Sequence, residues 1–467
     1  MPVPAATTTD PTADPVRLPV GAPLIRQERQ HVSCVGVGVG PANLSLASLL
    51  QGRAGLTGQF IERRPNFGWH DGQQLADAQL QVSMLKDLVS LADPTSPYSF
   101  LSYLHDQGRI YHYLNAQFDA VPRMEFRNYL AWAAERNPNV CFGEEVQAVD
   151  FDDVARTFVI STDRRELTSD HVSVGVGNQP WLPPLAQPFA GDSRIFHISQ
   201  FNHAAVDLAG LRVTVVGGGQ SGAEAFLDLI NRPDHQLPRR VSWISRRANF
   251  FPIDDSPFTN DYYMPDHSDY FATLPAAIRQ TFNAQHVLTS DGISGSTLRM
   301  IYQRIYSHSF IQARPDLIAL YPNRSVVGMS TTPTTGYELT LSHGHHPELV
   351  ENLDTDAIVF ATGFRPSPMP FLDPLKDRLQ PEGEEYLIDQ NFAVRWDGPS
   401  DRQLFLQNAA RGQRGLADPN LSLLAWRSQR ILDRMTNTDS RQQQPSFIEW
   451  TTKPAQLVEA PGGSDDY

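Results

Sequence analysis

The chain has 467 residues, 40% hydrophobic and 19% charged. At roughly 150 residues per domain, that is enough for two to three domains with cores that need no disulfide staples. Its 52 acidic and 38 basic residues give a net charge of −14, which argues against a nucleic-acid or anionic-membrane binder. Two cysteines, Cys34 and Cys141, cannot form a disulfide framework and lack the spacing of a zinc or C-x-x-C site, so a reducing cytoplasm is expected. No run approaches the roughly eighteen apolar residues of a membrane span. Only three lysines occur, Lys86, Lys376 and Lys453; arginine supplies the remaining positive charge, which composition bias explains.

Residues 1–30 are rich in Pro, Thr, Ala and Asp and lack the apolar segment of a secretory signal; they read as a disordered arm. His31–Gly40 (HVSCVGVGVG) is a β-branched run entering a glycine cluster, Gly36, Gly38 and Gly40, and Pro41–Leu50 continues with helical spacing. Strand, tight glycine turn and helix is the context of a dinucleotide site, where backbone N–H groups meet a pyrophosphate. The usual G-x-G-x-x-G is altered: Pro41 takes the third position and Gly40 falls one residue early. Gly58–Ile61 predicts a second strand with Glu62 at its tip, placed to accept from a ribose hydroxyl.

The second loop keeps the full pattern. Leu211–Val216 leads into Gly217, Gly219 and Gly222, with Gln220 and Ser221 between them, and Ala223–Ile230 predicts a helix. The next strand, Val241–Ile244, ends in Ser245, Arg246 and Arg247 instead of an acid. A basic tip accommodates the 2′-phosphate of NADPH. Downstream, Val172–Gly177 and Ala357–Phe360 each run into a proline-containing turn, as segments that return the chain between two domains do. The expected architecture is α/β with two dinucleotide-binding, Rossmann-like domains. An FAD domain (31–205, completed by 345–450) is interrupted by an NADPH domain (206–344), and 451–467 forms a disordered tail. Lys376 is expected in a polar loop and Lys453 in that tail. Asn420–Arg434 predicts a helix packed in the core or, as the alternative, in an interface. Two such sites imply electron transfer from NADPH to flavin.

Without a redox cysteine pair the chain is not a disulfide reductase, and Phe196–Asn202 keeps only part of the fingerprint of ketone-oxidising flavin monooxygenases. Several long stretches instead resemble the lysine/ornithine/diamine N-monooxygenase family of hydroxamate siderophore biosynthesis. They are GVGVGPAN (36–43), FGWH (67–70), LQVSMLKDLVSLADPTSPY (80–98), 126–132, VGGGQSG (216–222), DSPFTND (255–261), ATGF (361–364) and GLADPNLSL (415–423). The likeness runs from about His31 to Trp450.

That resemblance implies N-hydroxylation of a primary amine, with FAD, NADPH and O2, through a C4a-hydroperoxyflavin and with no metal and no protein nucleophile. By the same resemblance Pro41 and Asn43 belong to the FAD loop, and Trp69 and His70 flank the flavin. Gln81 lies near the isoalloxazine and helps nicotinamide stay bound. Lys86, Asn260 and Ser422 hold the substrate. His343, His345 and His346 read as a solvated turn. Asp291–Ser296 lacks the Thr-Asn-Tyr-like element of the ornithine enzymes, and Leu91–Phe100 and Ala425–Ile431 resemble the lysine and aliphatic-diamine branch. Ornithine, a ketone or sulfide substrate, and a non-catalytic NADP(H)-binding regulator are the alternatives. Family members often form dimers or tetramers, so the resemblance also implies a homo-oligomer.

Overall fold

In the computed structural model, residues 29–75, 78–332, 336–440 and 445–451 are described. The arm and the tail expected from the sequence, Lys453 included, lie outside them, apart from residues 29, 30 and 451. No helix among the described residues is long and apolar enough to cross a membrane.

The chain forms two Rossmann-like units. In the first, parallel strands stand in the order Val140–Phe142, Gly58–Glu62, Gln30–Val37, Glu166–Val174, Gln403–Leu406. The long strand Glu166–Val174 serves two neighbours on one side. Its first half pairs antiparallel with Thr157–Thr162, and its second half pairs parallel with Gln403–Leu406. Val37 is level with both Ile61 and Val174, so the strand ends form one edge where the glycine turn emerges. That edge is the crevice in which open α/β sheets bind ligands.

The helix Pro41–Leu50 is apolar nearly all round, and Ala42–Leu50 are buried, because the sheet covers one side and the helix Leu424–Thr436 the other. Leu424, Ile431 and Leu432 of that second helix join the same core, as expected for 420–434. Each such side chain is worth roughly 1.5–3 kcal/mol of burial.

The second unit is a parallel sheet in the order Ile318–Pro322, Arg240–Ser245, Arg212–Val216, Ala357–Phe360, Ile195–His197. Its strands reach past both ends of the expected 206–344 segment. The chain enters through Ile195–His197 and leaves through Ala357–Phe360, and each is hydrogen-bonded into this sheet. An antiparallel sheet, Arg324–Thr331, Tyr337–His343 and Val350–Thr355, is inserted before that exit. Trp243 is sandwiched between Phe226 and Phe250 at 4.9 and 3.8 Å, and its indole N–H donates to Gly217 O at 2.8 Å, fixing the second glycine turn from below.

The two crossover segments pair with each other, Asn178–Pro180 against Phe364–Pro366. His197 reinforces the crossing through Nε2, 3.0 Å from Gly363 O. Lys376 falls in a 3-10 helix, Pro370–Arg378, rather than a polar loop.

Candidate active site

Both glycine turns open the same way. The helices that follow them begin at Gly40 and Gly219, each the N-cap residue and each without a side-chain hydrogen bond closing the cap. First-turn N–H groups and the positive end of the helix dipole therefore face the cleft. Packing explains most of the surrounding glycines. Gly38 has φ +83°, and a Cβ there would stand 2.9 Å from Gly175 O; a Cβ on Gly222 would stand 2.2 Å from Gly217 O. Gly40 and Gly219 differ: neither has positive φ, and the nearest protein atoms to an added Cβ are 3.8 and 3.5 Å away. Packing within the protein does not dictate their lack of a side chain, and the space beside them is compatible with the close backbone approach that a diphosphate requires.

Gly219→Ala is therefore expected to change stability by less than about 1 kcal/mol while weakening coenzyme binding. Gly222→Ala should lower the melting temperature. Thermal unfolding and NADP+ titration of both variants would separate the two roles.

The edges of the loops are less open than the sequence suggests. Asn43 is fully buried. Its amide donates to Val37 O, Gly38 O and Ser173 O and accepts from Ser173 Oγ and Gln407 Nε2, so its side chain clamps the first turn instead of facing a cofactor. Glu62 accepts from Val39 N at 3.1 Å and from Arg64 Nε at 3.0 Å. Burial alone would raise its carboxyl, but Arg64 and the backbone donors outweigh that and hold it below the ordinary glutamate value, so it stays ionised.

Ser245 is also buried; it receives Arg247 N at 3.2 Å and lies under Gly218. The Arg247 guanidinium closes over the second turn, donating to Gly218 O at 3.1 Å and Asp291 O at 2.9 Å. Arg246 is exposed beside it. The basic tip is thus divided, with Arg247 bonded to loop carbonyls and Arg246 exposed to solvent. Ser221 is half-buried in the first turn of the helix.

Trp69 and His70 stand edge to face at 4.8 Å, and His70 adopts a left-handed conformation with φ 52°. His70 is exposed as a residue, yet the protein packed around its ring lowers its pKa to about 4, chiefly by desolvation and further through Arg123. The ring is therefore neutral near pH 7, and its Nδ1 accepts from Gln73 Nε2 at 2.7 Å.

Lys86 and Ser422, 336 positions apart, meet at 2.9 Å between Nζ and Oγ. Ser422 is buried and held by Asn420 Oδ1 at 2.8 Å. The loop that carries Lys86 is folded around Asp87, which accepts from the N–H groups of Val89, Ser90 and Phe100. Burial lowers the Lys86 pKa, and among the described residues no carboxylate pairs with it. Tyr263 lies 6.0 Å away, on the 3-10 helix Thr259–Tyr263 that also carries Asn260. The Asn260 amide donates to Asp255 O at 3.0 Å, so in this arrangement it holds its own loop.

Two contacts join the units, and the second, between Arg123 and Glu224, had no signal in the sequence. Gln81 Nε2 reaches across to Gln220 Oε1 at 3.3 Å and Gly292 O at 3.4 Å, and Arg123 of the first unit forms a two-pronged ion pair with Glu224 of the second. Among the described residues no cluster of three or more His, Cys, Asp or Glu side chains is arranged to hold a metal.

A family model for L-lysine 6-monooxygenase/L-ornithine 5-monooxygenase matches residues 30–366. The chain belongs to this family of flavin-dependent N-monooxygenases. The protein is 36% identical to the L-lysine N6-monooxygenase of Escherichia coli over 427 residues, which is 90% of this chain and 99% of that one. Among solved structures, the FAD-bound cadaverine monooxygenase of Erwinia amylovora has a TM-score of 0.82 at 28% identity, covering 94% of this chain and 100% of its own. The ornithine N-hydroxylase of Kutzneria, solved with reduced FAD, NADP+ and L-ornithine, has a TM-score of 0.79 at 29% identity and covers 87% and 99%.

Proposed function

We propose that this monooxygenase uses NADPH and FAD to hydroxylate the N6 amine of L-lysine, producing the hydroxylamine from which a hydroxamate siderophore is built. The observation that carries the substrate is Lys86, a half-buried ammonium bonded to a neutral hydroxyl, with no carboxylate beside it among the described residues. An α-carboxylate would complete that site, whereas the second ammonium of a diamine would be repelled.

The residues fit the two cofactors. The open helix N-termini behind Gly40 and Gly219 suit two diphosphates, and Glu62 and Arg246 suit a ribose and a 2′-phosphate. When bound, flavin and nicotinamide supply the reducing electrons and the oxygen activation that amino-acid side chains lack. The protein's part is to hold the amine through Lys86 and Ser422, to line the flavin side with Trp69 and a neutral His70, and to keep water out. Asn260 joins the substrate set if its loop turns inward.

The test is a hydroxylamine assay on FAD-loaded protein with L-lysine, L-ornithine, cadaverine and putrescine. Product from lysine is expected to dominate. Preference for cadaverine would establish the diamine reading, and preference for ornithine would refute the inference from Asp291–Ser296. NADPH oxidation without any hydroxylamine would refute the activity itself.

Arg246→Ala is expected to lower kcat/KM for NADPH by roughly 10- to 100-fold, the worth of a charge-assisted phosphate contact, with little effect on NADH. Arg247→Ala should impair both coenzymes, because its guanidinium holds loop carbonyls. Steady-state kinetics with the two coenzymes decides between these roles.

A further inference from the structure

Arg123 is the first residue of the helix Arg123–Arg136 in the first unit, and Glu224 lies on the helix Gln220–Asn231 behind the second glycine turn. Their side chains meet at 2.8 Å through both terminal guanidinium nitrogens, with exposures of only 12% and 7%. The pair does not end there. Gln220 Nε2 donates to the same Glu224 carboxylate at 2.9 Å, and Gln220 Oε1 accepts from Ser294 N at 2.8 Å and from Gln81 Nε2 at 3.3 Å. On the other side Arg123 Nη1 reaches Gln73 O at 3.4 Å, and the Gln73 amide holds His70. A continuous polar chain therefore runs from His70 through Gln73, Arg123, Glu224 and Gln220 to Gln81. It starts and finishes in the first unit and passes through the second at the start of its coenzyme-binding helix.

We propose that Glu224 is a positioning residue for coenzyme retention. Its carboxylate fixes the Gln220 amide, and through it Gln81 and Ser294, so that the second glycine turn keeps one register against the first unit. A buried carboxylate accepting from two donors on different elements has a defined direction, which neutral side chains of the same size do not supply. Gln220 can bridge Gln81 and Ser294 through its oxygen because Glu224 orients its nitrogen the other way. With that link intact, oxidised nicotinamide stays in the cleft after giving up its hydride. With it broken, the coenzyme leaves early, and the hydride of NADPH (two electrons and one hydrogen) together with one proton from solvent reduces O2 to hydrogen peroxide, so that no oxygen atom reaches the amine. The inference rests on the NADPH- and FAD-dependent reading above.

The experiment uses the full-length FAD-loaded protein in three forms: wild type, Glu224→Gln, and the double variant Arg123→Leu/Glu224→Leu. The double variant removes both charges together, so neither is left buried and alone. Three quantities are measured: the NADP+ dissociation constant by titration, the fraction of consumed NADPH recovered as hydrogen peroxide, and the melting temperature. Glu224→Gln should raise the NADP+ dissociation constant about tenfold, the scale of one lost charge-assisted hydrogen bond, and raise the peroxide fraction. The double variant should regain the melting temperature while both binding and coupling stay impaired. Unchanged NADP+ binding in Glu224→Gln overturns the proposal, as does recovery of binding and coupling in the double variant, which would make the pair merely structural. The titration needs no turnover, so it decides the point even if wild type hydroxylates none of the amines offered.

Discussion

Lys86→Ala is expected to raise the Michaelis constant for the amine by roughly 10- to 100-fold, the worth of a charged hydrogen bond to a carboxylate. The rate at which NADPH reduces the flavin should be unchanged. The separation follows from its partners: Lys86 Nζ bonds to Ser422 Oγ and lies 6.0 Å from the Tyr263 ring, and neither residue belongs to a glycine turn. Lys86→Arg should not rescue, because a planar guanidinium cannot replace a compact ammonium against a fixed hydroxyl.

The pH dependence has a definite sign. Lys86 binds a carboxylate only while protonated, and burial lowers its pKa. The Michaelis constant should therefore climb as pH rises through that lowered value, before the ordinary lysine range is reached, and the limb should vanish in Lys86→Ala. Steady-state assays across pH and stopped-flow reduction check both parts. A variant that slows reduction and leaves the Michaelis constant alone would place Lys86 elsewhere.

The largest loss of stability is expected at Arg427. Its guanidinium and the Asp418 carboxylate are 1% and 0% exposed and 3.1 Å apart. Arg427 also donates to Asp418 O, Gln407 Oε1 and Asn408 Oδ1. Gln407 bonds to Asn43, and Asn43 clamps Gly38, so one buried network joins the first glycine turn to the segment that presents Ser422. Arg427→Ala leaves Asp418 charged and alone, a cost of about 3–5 kcal/mol, and should lower the melting temperature by about 3–5 °C for a chain of this length. Retained yellow colour after gel filtration should fall as well, because the first turn loosens. Arg427→Met together with Asp418→Leu should recover much of the stability, since removing both charges avoids the unpaired one. Calorimetry and flavin absorbance measure the two effects.

Local elements were legible because local rules make them. Pro41–Leu50 and Ala357–Phe360 have in the structure the bounds that glycine punctuation and apolar spacing predict, and the strand expected at Gly58–Ile61 takes in Glu62 as well. The meeting of Lys86 with Ser422 was legible in a weaker way, since each lies in a stretch that resembles the family. The Arg123–Glu224 pair had no such signal: an arginine at one helix start and a glutamate inside another look like ordinary surface charges. The second sheet likewise begins earlier and ends later than its inserted segment, because strand membership is set by hydrogen-bond partners far away in the chain.

The sequence by itself determined that two strand–glycine–helix turns exist, that only the second ends in a basic tip, and that the chain is similar to amine N-monooxygenases. Turn geometry and charge type are properties of neighbouring residues, so the order of residues suffices. Tertiary structure alone decided which side chains remain open to a ligand. Asn43, Ser245 and Arg247 are occupied by protein groups, while Arg246 is exposed and no protein atom crowds the missing side chains of Gly40 and Gly219. Whether a polar atom faces a ligand depends on what packs against it, and here the deciding partners include Ser173, 130 positions from Asn43, and Asp291, 44 positions from Arg247.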